Sequence, residues 1–188
     1  MQAEFEYRAF MDSEPSELVK ALGKEKGVDK ETKDATDLYA VRQDSDVLVK
    51  IRHQTGKAKK RGPVGTQDSI DELVDERAFM PVTMNWLCES LEQSMPSQCK
   101  SLCSVDEVAR FLEGLGLKTA DVSKKITHYT KDGVEVEVAE VEIDGQKKYT
   151  VSVQGMDRDA VKKRVEKLGI DKLGTKMNWA QAVRAYAK

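Results

Sequence analysis

The chain is 188 residues long, with 34% charged residues, 6% aromatic residues and a formal net charge of −2. That length suits a single domain spanning residues 1–188, large enough to bury a core. The small negative balance excludes a global field for nucleic acid. No run of about 18 apolar residues offers a membrane span, and the acidic start lacks the apolar stretch of a signal peptide.

The chain opens with Glu4-Phe5-Glu6-Tyr7-Arg8. As a strand, this places Glu4, Glu6 and Arg8 on one face and Phe5 and Tyr7 on the other. Two carboxylates at that spacing can hold a hard divalent cation, and an arginine beside them can fork onto a phosphate. Taken alone, the same five residues read more simply as a half-buried antiparallel strand with a solvated polar face.

Pro15 and the acids around it start a short amphipathic helix carrying Leu18, Val19, Ala21 and Leu22, which ends near Gly23 or Gly27. Residues 28–36 are polar and read as loop. Asp37-Leu38-Tyr39-Ala40-Val41 and the stretch from Asp46 to Arg52 read as paired strands around a Gln43-Asp44-Ser45 turn. Leu48, Lys50 and Arg52 share one face of the second strand. The densest basic run, Lys57 to Arg61, followed by Gly62-Pro63, reads as a solvated loop or a nucleic-acid patch. Without interleaved aromatics it is not a platform for stacking single strands.

Residues 64–83 fit strand or helix; the preferred reading is a strand ending before Pro81, with the inward or outward placement of Glu72 and Arg77 open. A helix from Asn85 through Leu91 runs on towards Pro96. Ser104-Val105-Asp106-Glu107 is a capping box opening a helix that carries Val108, Phe111 and Leu112. Then strands return: Lys118 to Thr130, an Asp132-Gly133 turn, the strictly alternating Val134 to Glu142, an Asp144-Gly145 turn, and Lys148 to Val153. Asp157 caps a helix, and a last helix runs from about Asn178 to Tyr186. Hairpins with inserted helices make the fold class α+β. Charge alternates with valine on most strands, so the charged face is either solvated or the lining of a closed barrel.

Cys88, Cys99 and Cys103 form an odd set without secretory features, which points to reduced thiols in an intracellular compartment, the cytoplasm first of all. No fourth cysteine or nearby histidine completes a zinc set around them.

The order of these motifs resembles the CYTH family of triphosphate tunnel proteins, which includes thiamine triphosphatases and class IV adenylyl cyclases. The residues that carry the resemblance are Glu4-x-Glu6-x-Arg8, Asp37-Leu38-Tyr39, Lys50-x-Arg52, Arg61-Gly62-Pro63, Leu115-Gly116, Lys124 with Tyr129, and the helix ending at Leu168-Gly169. The resemblance implies an antiparallel β-barrel forming a tunnel, with helices packed outside. It implies that Arg8, Lys50, Arg52, Lys59, Arg61 and Lys124 grip a triphosphate or polyphosphate. Glu4 and Glu6 would be the catalytic carboxylates, holding Mg²⁺ or Mn²⁺ with help from Glu137 on the face shared with Glu135. The implied activity is a metal-dependent triphosphatase, a phosphoric anhydride hydrolase.

The chain also departs from the family pattern. Ile126 stands where a second basic residue belongs, Ala139 where an inward Asp belongs, and Thr150 and Ser152 where a Glu-x-Glu pair belongs. Two functional readings therefore stand side by side. One is a tunnel that binds a triphosphate and hydrolyses it; the other is a catalytically degenerate fold acting as a binding module or as a subunit with a protein partner. Recognition of the 5′-triphosphate end of an RNA is a further reading, general nucleic-acid binding is not expected, and cyclase activity ranks behind all of these.

Overall fold

The computed structural model describes residues 4–94 and 100–188. Strand β1 (Glu4–Met11) leads into helix α1 (Ser16–Lys24), which buries Leu18 and Leu22. β2 (Asp29–Val41) and β3 (Leu48–Arg52) form a hairpin with Val41 opposite Leu48 and Asp37 opposite Arg52. β4 (Lys57–Gln67) and β5 (Ile70–Phe79) form the next, with a register break between Pro63 and Gly65. The short strands β6 (Val82–Thr83) and β7 (Ser101–Leu102) pair with each other on either side of α2 (Met84–Ser90).

Helix α3 (Val105–Gly114) starts at the expected capping box: Ser104 accepts from the Glu107 backbone, and Glu107 accepts in return from the Ser104 backbone. β8 (Lys118–Lys131), β9 (Val134–Ile143) and β10 (Gln146–Gly155) follow as a meander. Its two turns, Asp132-Gly133 and Asp144-Gly145, have positive φ throughout, the two-residue geometry whose twist suits antiparallel strands. Asp157 caps α4 (Arg158–Leu168); β11 (Thr175–Lys176) and α5 (Trp179–Tyr186), capped by Asn178, complete the chain.

Eight strands close into an antiparallel barrel in the order β10-β9-β8-β2-β3-β4-β5-β1, with β1 pairing back onto β10. Closure turns the two faces of every strand into an inside and an outside. Outside, Leu18, Leu22, Val161 and Val165 pack with Tyr7, Val136 and Val153 under α1 and α4. Leu87, Val108 and Leu112 pack with Leu38, Val49 and Ile51 under α2 and α3. A third cluster lies inside and fills one end: Phe10, Tyr39, Leu48, Val122 and Ile143, closed by Trp179, Ala180 and Val183 of α5. The barrel interior is therefore apolar at the α5 end and charged beyond it.

Three local expectations are corrected. Residues 29–36 belong to β2 rather than to a loop. This half of β2 pairs with β8 along one edge, while β3 begins to pair with β2 only from Asp37. Its side chains therefore stay largely exposed and show no apolar alternation. The basic run 57–61 is likewise not a solvated loop but the start of β4. Gly62 is needed there, because a Cβ would come within 2.9 Å of Val47. The strand preferred for the ambiguous segment is β5, ending at Phe79 before Pro81. Helix α2 ends at Ser90, and residues 91–94 are turn and irregular chain rather than the expected continuation towards Pro96; Pro96 itself and the Cys99 reading lie outside the described residues.

Candidate functional site

Alternation on four strands delivers the site. β1 turns Glu6 and Arg8 inward, β3 turns Lys50 and Arg52, β4 turns Lys59 and Arg61, and β8 turns Lys124. All of these but Glu6 line a cavity of about 230 Å³ beyond the apolar end, floored by Tyr39, Leu48, Ile126 and Trp179. Among the described residues, its lining has eight basic side chains, Arg8, Lys33, Lys50, Arg52, Lys59, Arg61, Arg77 and Lys124, against Glu4, Asp75 and Glu137. A second space of about 260 Å³ shares Lys50, Arg52, Lys59 and Arg77 and continues outward to Lys57, Ala78 and the exposed Phe79.

Six of these basic groups fall into two sets. The first surrounds Asp37, which is fully buried. Its carboxylate accepts from Arg52 Nε at 2.8 Å and Nη2 at 3.2 Å, and from Lys124 Nζ at 2.8 Å; Lys50 Nζ stands off at 3.8 Å. Burial alone would raise the Asp37 carboxyl, but Lys124, Arg52 and Lys50 hold it well below its ordinary value. Lys124 also bonds the Tyr39 hydroxyl and lies 4.2 Å from the centre of the Trp179 ring. Lys50 is the least compensated. Burial, and then the charge of Lys124, push its ammonium down to about 7, with Asp37 offsetting only part of the loss.

The second set is a lattice of arginines and carboxylates. Arg8, itself buried, donates from Nε to Glu6 Oε1 at 3.0 Å and from Nη1 to Glu137 Oε1 at 2.9 Å. It also reaches Glu6 Oε2 and Thr150 Oγ1, both at 3.3 Å. Arg61 pairs with Glu4, with Glu6 at 3.1 Å and with Asp75 at 2.8 Å, and Lys59 pairs with Asp75. Burial raises the Glu137 carboxyl, yet the charges of Arg8 and Lys124 outweigh it and bring it down to about 2. Glu6 is likewise lowered against its burial by Arg8 and Arg61.

This arrangement tests the expected metal set. Glu4, Glu6 and Glu137 supply hard oxygens of the right kind. Both oxygens of Glu6, however, accept from arginine, and Glu4 and Glu137 each give one oxygen to arginine as well. Glu135 is drawn off to Gln154 and His128. Ser152, opposite both Arg8 and Glu137, adds only a neutral hydroxyl. Among the described residues no group of three His, Cys, Asp or Glu side chains is placed to share an ion. As the side chains stand, the donor set does not fit Mg²⁺ or Mn²⁺.

Every residue expected to bind phosphate or metal thus faces one cavity or the lattice behind it. Sequence reading missed Asp37 as the hub of the cations, Asp75 as the partner of Lys59 and Arg61, and Trp179 as the floor. It left open Glu72 and Arg77: Arg77 lines the cavity, whereas Glu72 lies outside, 3.5 Å from Arg158. The signal for Asp75 and Arg77 was present as alternation in β5, but residues 70–79 fit two periods.

No family model matches the chain, and no curated protein sequence matches it. Solved structures do match. A candidate adenylate cyclase from Bacillus halodurans covers all of this chain and all of its own at 12% identity and a TM-score of 0.54. A candidate adenylyl cyclase from Hippeastrum, described as having a dominant triphosphatase activity, covers 100% of this chain and 97% of its own at 12% identity and a TM-score of 0.54. A conserved protein from Pyrococcus furiosus covers 87% of this chain and 90% of its own at 14% identity and a TM-score of 0.53. The likeness is one of fold: the chain has the closed antiparallel tunnel barrel that the CYTH resemblance implied.

Proposed function

We propose that the tunnel binds the triphosphate or polyphosphate group of its ligand. The carrying observation is the set of inward cations around a cavity of about 230 Å³, with the Lys50 ammonium pushed down to about 7 by burial and by the charge of Lys124. Lys50, Arg52, Lys59 and Lys124 grip the phosphates, and Arg77 joins them at the rim. Charge-assisted bonds from several fixed donors are what a chain of phosphates requires. The cavity is smaller than the roughly 300–1,000 Å³ that encloses a drug-sized molecule, so the rest of a substrate lies outward, against Lys57 and Phe79. The Hippeastrum protein's triphosphatase activity supports the same ligand class.

Hydrolysis is the activity that the resemblance implies, with Glu4 and Glu6 as its carboxylates and Mg²⁺ or Mn²⁺ as its cofactor. The second reading, a binding module that has lost hydrolysis, has its own observation. Ile126, Ala139 and Thr150 stand in register across β8, β9 and β10, forming a contiguous uncharged arc of the tunnel wall. Calorimetric titration with tripolyphosphate, pyrophosphate and phosphate tests the binding claim: affinity rises with chain length, and Lys50→Met or Arg52→Met lowers it about tenfold or more. Equal, weak binding of all three ions sinks the claim. Phosphate release from tripolyphosphate, thiamine triphosphate and nucleoside triphosphates with each metal separates the two readings. RNA with a 5′-triphosphate and with a 5′-hydroxyl shows whether an RNA end is the ligand.

A further inference from the structure

The cation that Glu6 and Glu137 need is already present in the fold. Arg8 enters from β1 between the two carboxylates and donates to each, at 3.0 Å and 2.9 Å. Its ring neighbour is Trp179, whose centre lies 5.2 Å from the guanidinium carbon. Thr150 accepts from Arg8 and donates to the backbone oxygen of Ala9 at 3.0 Å, which fixes the guanidinium from the side of β10. Arg8 is only 4% exposed. Pulling it away would strand a buried charge on each side of the broken pair, the costly outcome for buried ion pairs.

A divalent ion shared by Glu6 and Glu137 would have to displace this guanidinium or sit against it. Neither is favoured: like charges repel strongly where water is excluded, and both Glu6 oxygens and one Glu137 oxygen are already bonded to arginine. The wall beside them gives a replacement ligand no charge, because the residues in that arc are Ile126, Ala139 and Thr150. Charged groups missing from the arc and an arginine neutralising the acids that remain are two parts of one compensated arrangement.

We infer that Arg8 is the resident cation of the tunnel and that the ligand is therefore taken as a metal-free condensed phosphate, not as its magnesium or manganese complex. The inference rests on the proposed phosphate tunnel and names the ionic form of its ligand. The polyanion meets Lys50, Arg52, Lys59 and Lys124, while Arg8 stays on the carboxylates.

The test titrates the full chain with tripolyphosphate in EDTA and again in excess Mg²⁺ or Mn²⁺. The expected result is an affinity in EDTA that equals or exceeds that with metal, because the metal competes for the free anion. An affinity with metal more than about tenfold tighter than in EDTA overturns the inference but leaves the phosphate tunnel standing. No binding in either condition removes the tunnel reading itself, and the inference with it. A second measurement needs no phosphate: Mn²⁺ alone should leave the melting temperature of the wild-type chain unchanged. It should raise that of Arg8→Met, in which Glu6 and Glu137 lose their shared cation. A Mn²⁺-induced rise in the wild type equal to that in the variant overturns the assignment. If Arg8→Met does not fold, the wild-type titrations decide alone.

Discussion

Lys50 and Asp37 show how the site is poised. The Lys50 ammonium is depressed from 10.5 to about 7 by burial and by Lys124. Between those values the unfolded chain binds more protons than the folded one, so this residue's contribution to stability rises with pH across the window. A phosphate beside Lys50 reverses the depression, so binding takes up a proton above pH 7, and affinity falls as pH rises. Calorimetry at pH 8 in buffers of differing ionisation enthalpy should show this uptake in the wild type and lose it in Lys50→Met; identical uptake in both would clear Lys50 of the role. Asp37 is the counter-ion that holds Arg52 and Lys124 in place before any ligand arrives. Asp37→Asn breaks a buried ion-pair network and should cost about 3–5 kcal/mol of stability. Added tripolyphosphate should then raise the melting temperature of the variant more than that of the wild type, because the anion supplies the missing charge.

At the level of elements, helix α5 decides where the tunnel ends. Trp179 stacks on Tyr39 at 5.0 Å and meets Phe10 edge-on at 5.2 Å, while Arg184 anchors the helix to Asp46 and to backbone oxygens in the β2–β3 turn. Trp179→Ala should lower stability by about 3–5 kcal/mol, as other large core truncations do. It should also weaken tripolyphosphate binding, since Lys124 and Arg8 both lie over that ring. Helix α3 makes the contrast. Ser104→Ala removes a capping bond on the outside of the barrel and should cost about 1 kcal/mol. Denaturant melts should show the loss with affinity for tripolyphosphate intact; a shared loss of affinity would mean that the outer helices tune the tunnel.

For the whole molecule, a net charge of −2 hides a strong internal separation of charge. Among the described residues, eight basic side chains converge on one cavity, while many of the acids pair on the outer surface, as in Lys148–Asp12 and Lys162–Asp68. Exposed charges are screened within about 8–10 Å at physiological salt, whereas enclosed ones are screened much less. Tripolyphosphate affinity should therefore fall only modestly between low and physiological salt. Binding of a single-stranded nucleic acid to the outer surface of the barrel should collapse over the same range. Parallel salt titrations with tripolyphosphate and with a 5′-hydroxyl RNA check this; equal slopes would place the phosphate on the surface rather than in the tunnel.

The sequence by itself determined the strands with clear alternation, the Asp-Gly turns, the capping box at Ser104 and the charged residues that share a strand face, such as Glu4, Glu6 and Arg8 or Lys50 and Arg52, but not whether that face points inward. Each of these is a local pattern, set by the two-residue period of a strand or by the chemistry of a turn or cap. It did not determine the strand at 29–36, whose exposed half is held by one edge of pairing and so carries no apolar period. Nor could it show that Ile126, Ala139 and Thr150 adjoin one another, or that Arg8 lies between Glu6 and Glu137. Glu6 and Glu137 are far apart in the chain and meet only because β1 closes the barrel against β10. Partnership among buried charges follows from closure and register, which belong to the whole sheet. The cations of the tunnel were therefore written in the strands, while their division between carboxylates and ligand was decided by the barrel.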